Sequence, residues 1–144
     1  MRIGIDYTAA INQTSEETLR ASGVGSIVNI TSLAALPTAR DTPAHTDLML
    51  YGVTKAALDR LTTYFAAELK PYGIAVNGLS PGGVLTETWK RVAPEDYAEA
   101  ERTGKARRPV PEDMGPALIC LAGQTADTIT GRILHTNDFG TAWP

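Results

Sequence analysis

A chain of 144 residues with a net charge of −3 at pH 7 suits one compact domain, and it offers no basic footprint for nucleic acid or an anionic membrane. Hydrophobic residues at 43% and charged residues at 20% exclude a disordered chain. No uninterrupted apolar run approaches the ~18 residues of a spanning helix, and "MRIGIDYTAA" lacks the apolar core of a signal peptide.

The first element, "YTAAINQTSEETLR", reads as helix, with Thr14 and Glu17 spaced as a capping box that restarts it. "SGVG" then makes a turn into "GSIVNIT", 25–31, a β-branched strand. The strongest helix runs from Tyr51 to Lys70, where Leu58, Leu61, Phe65 and Leu69 form an apolar stripe before Pro71 and Gly73 stop it. "GIAVNGL", 73–79, is a second strand. A long irregular stretch follows, with a short helix starting at Pro94. "PEDMGPALICLAG" opens another helix with Pro111 at its first position, and "GRILHTN", 131–137, is a last strand. Cys120 lies in the apolar run of that helix and is expected to be a buried, inert thiol. A single cysteine allows no internal disulfide, which fits a reducing compartment, so the expected location is the cytoplasm.

Strands alternating with helices call for βαβ units, a parallel sheet and an α/β fold. No repeat or linker interrupts the chain, so residues 1–144 are expected to form a single domain. In open parallel sheets, ligands bind beyond the carboxyl ends of the strands. The first strand runs into Thr31 and Ser32, and the second into "LSPGGVLTE", where Gly82 and Gly83 permit close backbone approach. The helix bearing Tyr51 and Lys55 begins on the same side. Ser32, Tyr51, Lys55 and the "SPGGVLT" loop are therefore expected to converge on one edge. "GLSPG", 78–82, matches a nucleophile elbow, but the residue after its serine is Pro81, which has no N–H to donate to an oxyanion.

Taken together, "GSIVNITS", "YGVTK", "GIAVNGLSPGGVLT" and "ITGRILHTNDFG" resemble, in order, the short-chain dehydrogenase/reductase family. The resemblance covers about residues 20–140 and implies a partial Rossmann-like fold, with about three parallel strands flanked by helices. It implies an NAD- or NADP-dependent oxidoreductase acting on a small-molecule alcohol or ketone, with Ser32, Tyr51 and Lys55 as catalytic residues. Tyr51 and Lys55, with Pro81, Gly82, Val84 and Thr86, would contact the cofactor. A free tyrosine, with a pKa of about 10, is a poor acid–base group at neutral pH; an ammonium one helical turn away favours the phenolate, and Ser32 would hold the same substrate oxygen. Asn77 and His135 are read as structural, and His45 as an exposed polar residue.

The family's Gly-rich turn, which holds the cofactor pyrophosphate, has no counterpart in this sequence, so the chain resembles the C-terminal half of the family fold. Two consequences are expected. The first strand would have an open apolar edge, favouring a homo-oligomer or marginal stability. The function is then either that of an incomplete oxidoreductase or, alternatively, that of a non-catalytic remnant or assembly module that binds no cofactor.

Overall fold

The computed structural model describes residues 17–37, 48–84, 86–92, 94–103 and 110–144. Three strands, β1 (Gly25–Ile30), β2 (Ile74–Ser80) and β3 (Ile133–His135), form a parallel sheet in the order β1-β2-β3. The described helices are α1 (17–22), α2 (Met49–Leu69), α3 (Glu87–Val92), α4 (Pro94–Thr103) and α5 (Gly115–Ala122). This is the α/β arrangement with a parallel sheet that the alternating pattern called for, and the Rossmann-like fold that the resemblance implied. Among the described residues, no helix is long and apolar enough to cross a membrane. The capping box at Thr14 and His45 lie outside the described residues.

All seven residues of β2 are buried, as a central strand covered on both faces requires. Side chains alternate across the sheet, and each face has its own core. On one face, Ile74 and Val76 pack with Ile27, Leu19 and the α2 residues Leu61, Phe65, Ala66 and Leu69. On the other, Leu79 and Leu134 pack with Ala117 and Leu121 of α5 and with Trp143. The chain end is fastened there: Trp143 Nε1 donates to His135 O at 3.0 Å, and the Phe139 and Trp143 rings meet edge to face at 4.9 Å. Cys120 is half-buried, not fully enclosed, and its thiol lies 3.4 Å from Pro144 O.

The helix-to-strand corners are tight. Gly73, with φ 75°, ends a 3-10 turn after α2, and a Cβ there would stand 2.7 Å from Gly23 O. Both the left-handed backbone and the close crossing therefore demand glycine. Asn77 is wholly buried and structural: its amide donates to Ile129 O at 2.7 Å, while Arg132 N–H donates to its Oδ1 at 3.2 Å.

Most boundaries shift by one or two residues, as where α2 starts at Met49, and three stretches differ more. The last strand keeps only three residues, because β3 pairs only with Gly78–Ser80; Thr136–Asp138 turn away as a 3-10 helix. Residues 87–92, read as irregular, form the short helix α3. The helix expected at Pro111 begins as a 3-10 turn, Pro111–Met114, before α5.

Candidate active site

Strand β1 delivers Thr31 and Ser32 to the carboxyl edge, and they play different parts. Thr31 is buried, whereas Ser32 is half-buried and extended, with its hydroxyl accepting from Ala34 N–H at 3.2 Å. That bond starts the 3-10 turn Leu33–Ala35, which lies directly on α2. A Cβ at Gly52 would stand 2.7 Å from Ala34 O. Glycine at this helix position, normally a weak helix former, is what lets the Ser32 turn seat beside Tyr51.

Tyr51 and Lys55 stand one turn apart on α2. Tyr51 is 45% exposed, so its ring reaches solvent at the sheet's rim. The Lys55 Nζ lies 5.7 Å from the Tyr51 ring centroid and donates to Ile30 O at 2.7 Å. This last bond ties α2 to the end of β1 and holds the cation beside the phenol. The remaining ammonium N–H donors are not used by Ile30.

From the neighbouring strand, Ser80 leads into Pro81, Gly82, Gly83 and Val84. Gly82 has φ 77°, and Val84 N–H donates to Gly82 O at 3.2 Å. Thr86 follows at the start of α3, where its carbonyl accepts from Lys90 N–H at 3.0 Å. Beside this loop lies a pocket of about 220 Å³ lined by Leu33, Ser80, Gly82, His135, Asn137 and Asp138. Leu33 and Gly82 connect it to the Ser32 turn and the glycine loop.

One half-buried ionisable group went unnoticed in the sequence. Asp59 sits one turn beyond Lys55, and burial raises its carboxyl above the ordinary value of 3.8. The Thr31 hydroxyl, His135 and Lys55 oppose that shift in decreasing order. The Thr31 hydroxyl faces the carboxylate closely enough to steady it, yet neither Thr31 Oγ1 nor Asp59 Oδ1 completes a hydrogen bond of standard geometry. An acidic residue one turn after the lysine, facing the sheet, was the available signal.

Residues 3–140 match the family model described as Enoyl-(Acyl carrier protein) reductase. The fluoren-9-ol dehydrogenase of Terrabacter sp. (strain DBF63) is 32% identical over 128 residues, covering 85% of this chain and 36% of that protein. The L-tagatose-forming galactitol 2-dehydrogenase of Cereibacter sphaeroides is 32% identical over 146 residues, covering 99% of this chain and 56% of that protein. Among solved structures, one described as an NAD(P) dependent gluconate 5-dehydrogenase of Beutenbergia cavernae, with NADP bound at low occupancy, superposes with a TM-score of 0.73. Its sequence is 28% identical, and the match covers 91% of this chain and 51% of that one. The chain belongs to the short-chain dehydrogenase/reductase family. It spans between 36% and 56% of the length of these relatives.

Proposed function

We propose that this chain is the catalytic half of an NAD(P)-dependent oxidoreductase that interconverts a small alcohol and its carbonyl compound, with Tyr51 as the acid–base group. The observation that carries this reading is the Lys55 cation, 5.7 Å from the Tyr51 ring centroid and anchored to Ile30 O, beside the Ser32 turn seated on Gly52. Tyr51 takes the alcohol proton during oxidation and returns it during reduction. Ser32 donates a hydrogen bond to the substrate oxygen and holds it beside Tyr51.

The donor set fits the nicotinamide end of the cofactor. Lys55 keeps N–H donors toward a ribose hydroxyl, and Tyr51 adds its hydroxyl. Pro81, Gly82, Val84 and Thr86 present a loop whose left-handed glycine leaves the backbone bare. When bound there, NAD or NADP supplies the hydride donor or acceptor.

A homo-oligomer belongs to the same reading, supported by the apolar side chains that Ile30, at the end of β1, and Met49 and Val53, in the first turns of α2, expose. Sedimentation as a monomer at every concentration would contradict it. Titration with NADH and NADPH, followed by fluorescence or calorimetry, tests the main proposal. A response lost in the Tyr51→Phe, Lys55→Ala double variant is expected. Silence with both cofactors would overturn it in favour of an assembly module.

A further inference from the structure

Four polar atoms near the carboxyl ends of the strands are buried without a hydrogen-bond partner: Thr31 Oγ1, Asp59 Oδ1, Ser80 Oγ and His135 Nδ1. Thr31 N–H donates to Leu79 O at 2.8 Å, which brings Thr31 level with Ser80 in one row across the strand ends, and Asp59 meets Thr31 from α2. The other two atoms belong to residues in the wall of the pocket beside Gly82. Ser80 ends β2, His135 ends β3, and the two are register partners. By alternation they share the face that carries Ile74 and Val76 beneath α2. Buried hydroxyl and imidazole groups ordinarily find partners, so this wall is short of a ligand.

The outer wall is polar as well. Asn137 and Asp138 line the pocket and are exposed, and their side chains make no hydrogen bond among the described residues. A Cβ on Gly82 would stand 3.7 Å from Asn137 Nδ2, so that amide borders the bare loop. The turn that carries both residues is fixed in place. Phe139 N–H donates to Thr136 O at 3.2 Å, Ala142 N–H to Asp138 O at 2.9 Å, and Trp143 Nε1 to His135 O at 3.0 Å. A wall held this way binds with little ordering cost.

Three properties restrict what the pocket can hold. Hydroxyl, amide and neutral imidazole groups both donate and accept, while a carboxylate accepts. Adjacent hydroxyls answer that mixture, whereas an alkyl chain would leave Ser80 and His135 unpaired. Asp138 is acidic, and among the described lining residues there is no lysine or arginine, so a carboxylate or phosphate on the substrate meets repulsion without a counter-charge. At about 220 Å³ the pocket is smaller than the roughly 300–1,000 Å³ of sites for drug-sized molecules. It has room for a short hydroxylated chain and not for a polycyclic body.

We propose that Ser80, His135, Asn137 and Asp138 determine specificity, and that the substrate is an uncharged polyhydroxylated chain, an alditol in one direction and the ketose in the other. The inference rests on the reading of Tyr51 and Ser32 as the reacting end. Leu33 directly follows Ser32 and lines the same pocket, so the reacting C–OH stays with Ser32 and Tyr51 while the hydroxyls beyond it enter the pocket. Ser80, only 1% exposed, and His135 take the deepest hydroxyl, and Asn137 and Asp138 take the outer ones. No bond is made or broken in the pocket.

Such recognition can be read without turnover, by NMR of the ¹⁵N-labelled chain without cofactor. Xylitol, xylonate and cyclopentanol, of equal carbon number, are titrated in turn. Xylitol is expected to shift the Gly82, His135 and Asn137 amide signals saturably and at least about tenfold more tightly than xylonate, while cyclopentanol leaves them in place. Asn137→Ala should weaken xylitol about fivefold, the size of one lost hydrogen bond. Asp138→Asn should close the gap between xylitol and xylonate, which a merely structural role would not do. No response to xylitol, an equal response to cyclopentanol, a preference for xylonate, or a gap unchanged in Asp138→Asn each overturns the proposal. Silence toward NADH and NADPH with the xylitol shifts intact would instead sink the acid–base reading and leave the pocket a polyol site.

Discussion

The two faces of the sheet are finished differently at their carboxyl ends. Under α5 the apolar packing runs up to the rim, where Leu79, Leu134 and Trp143 close it over Leu121. Under α2 the apolar packing reaches Val76 on the strand and Leu61 on the helix. Above it come the buried Asn29–Thr62 hydrogen bond, 3.0 Å, and then the row of Thr31, Ser80, His135 and Asp59. Both faces belong to the same strands, so the difference lies in alternate residues of one sequence. The dry face fixes the strands in place. The other gives up apolar burial to polar groups at the carboxyl rim.

Three substitutions break or sharpen this contrast. The largest effect is expected at Leu121, wholly buried on the dry face: Leu121→Ala should cost about 2–5 kcal/mol, read as a lowered denaturant midpoint. A cost well below that range would mean the α5 face does not carry the stability. Next comes Gly52→Ala, whose new methyl would meet Ala34 O at 2.7 Å. Forcing the Ser32 turn off α2 should cost about 1–3 kcal/mol and abolish any NADH or NADPH response, so an unchanged titration would show that the seating is not needed.

The smallest effect has the opposite sign. Burial is the main influence on Asp59 and raises its pKa above 3.8, so the folded state binds that proton more tightly than the unfolded state. The stability this brings is fully present below pH 3.8 and is lost as pH rises through the folded-state value. Asp59→Asn, which carries no charge at any pH, should therefore melt above the unmutated chain at pH 7 and converge with it in acid. A lower melting temperature at pH 7 would show that the contacts to Thr31, His135 and Lys55 outweigh burial.

How much of this was legible in the sequence depended on the range of the determining contact. β1, α2 and β2 carry their periodicity within themselves and were readable. β3 was over-extended, because "GRILHTN" looks uniformly strand-like while only the three positions opposite Gly78–Ser80 find a partner. Helix α3 was missed because "ETWKRV" is under two turns long, too short to show a helical period, and follows a Pro-Gly-Gly loop. Within the site, Ser32, Tyr51 and Lys55 were named from motif spacing, and the structure brings the Ser32 turn against the helix bearing the pair. Asp59 and Ser80 were not singled out, and His135 was read as structural. Their meeting depends on a register between β2 and β3 and on where α2 lies, and no local pattern encodes either.

The half-buried thiol of Cys120, 3.4 Å from the carbonyl of Pro144, offers a built-in reporter. Because it is the sole cysteine of the chain, a thiol reagent labels one position without any engineering. The thiol lies against the terminal residue beside Trp143, so release of that segment is expected to speed labelling. The rate of labelling thus times the undocking of the tail, and comparing it with the global unfolding rate tells whether the tail peels away by itself or leaves only with the whole dry core.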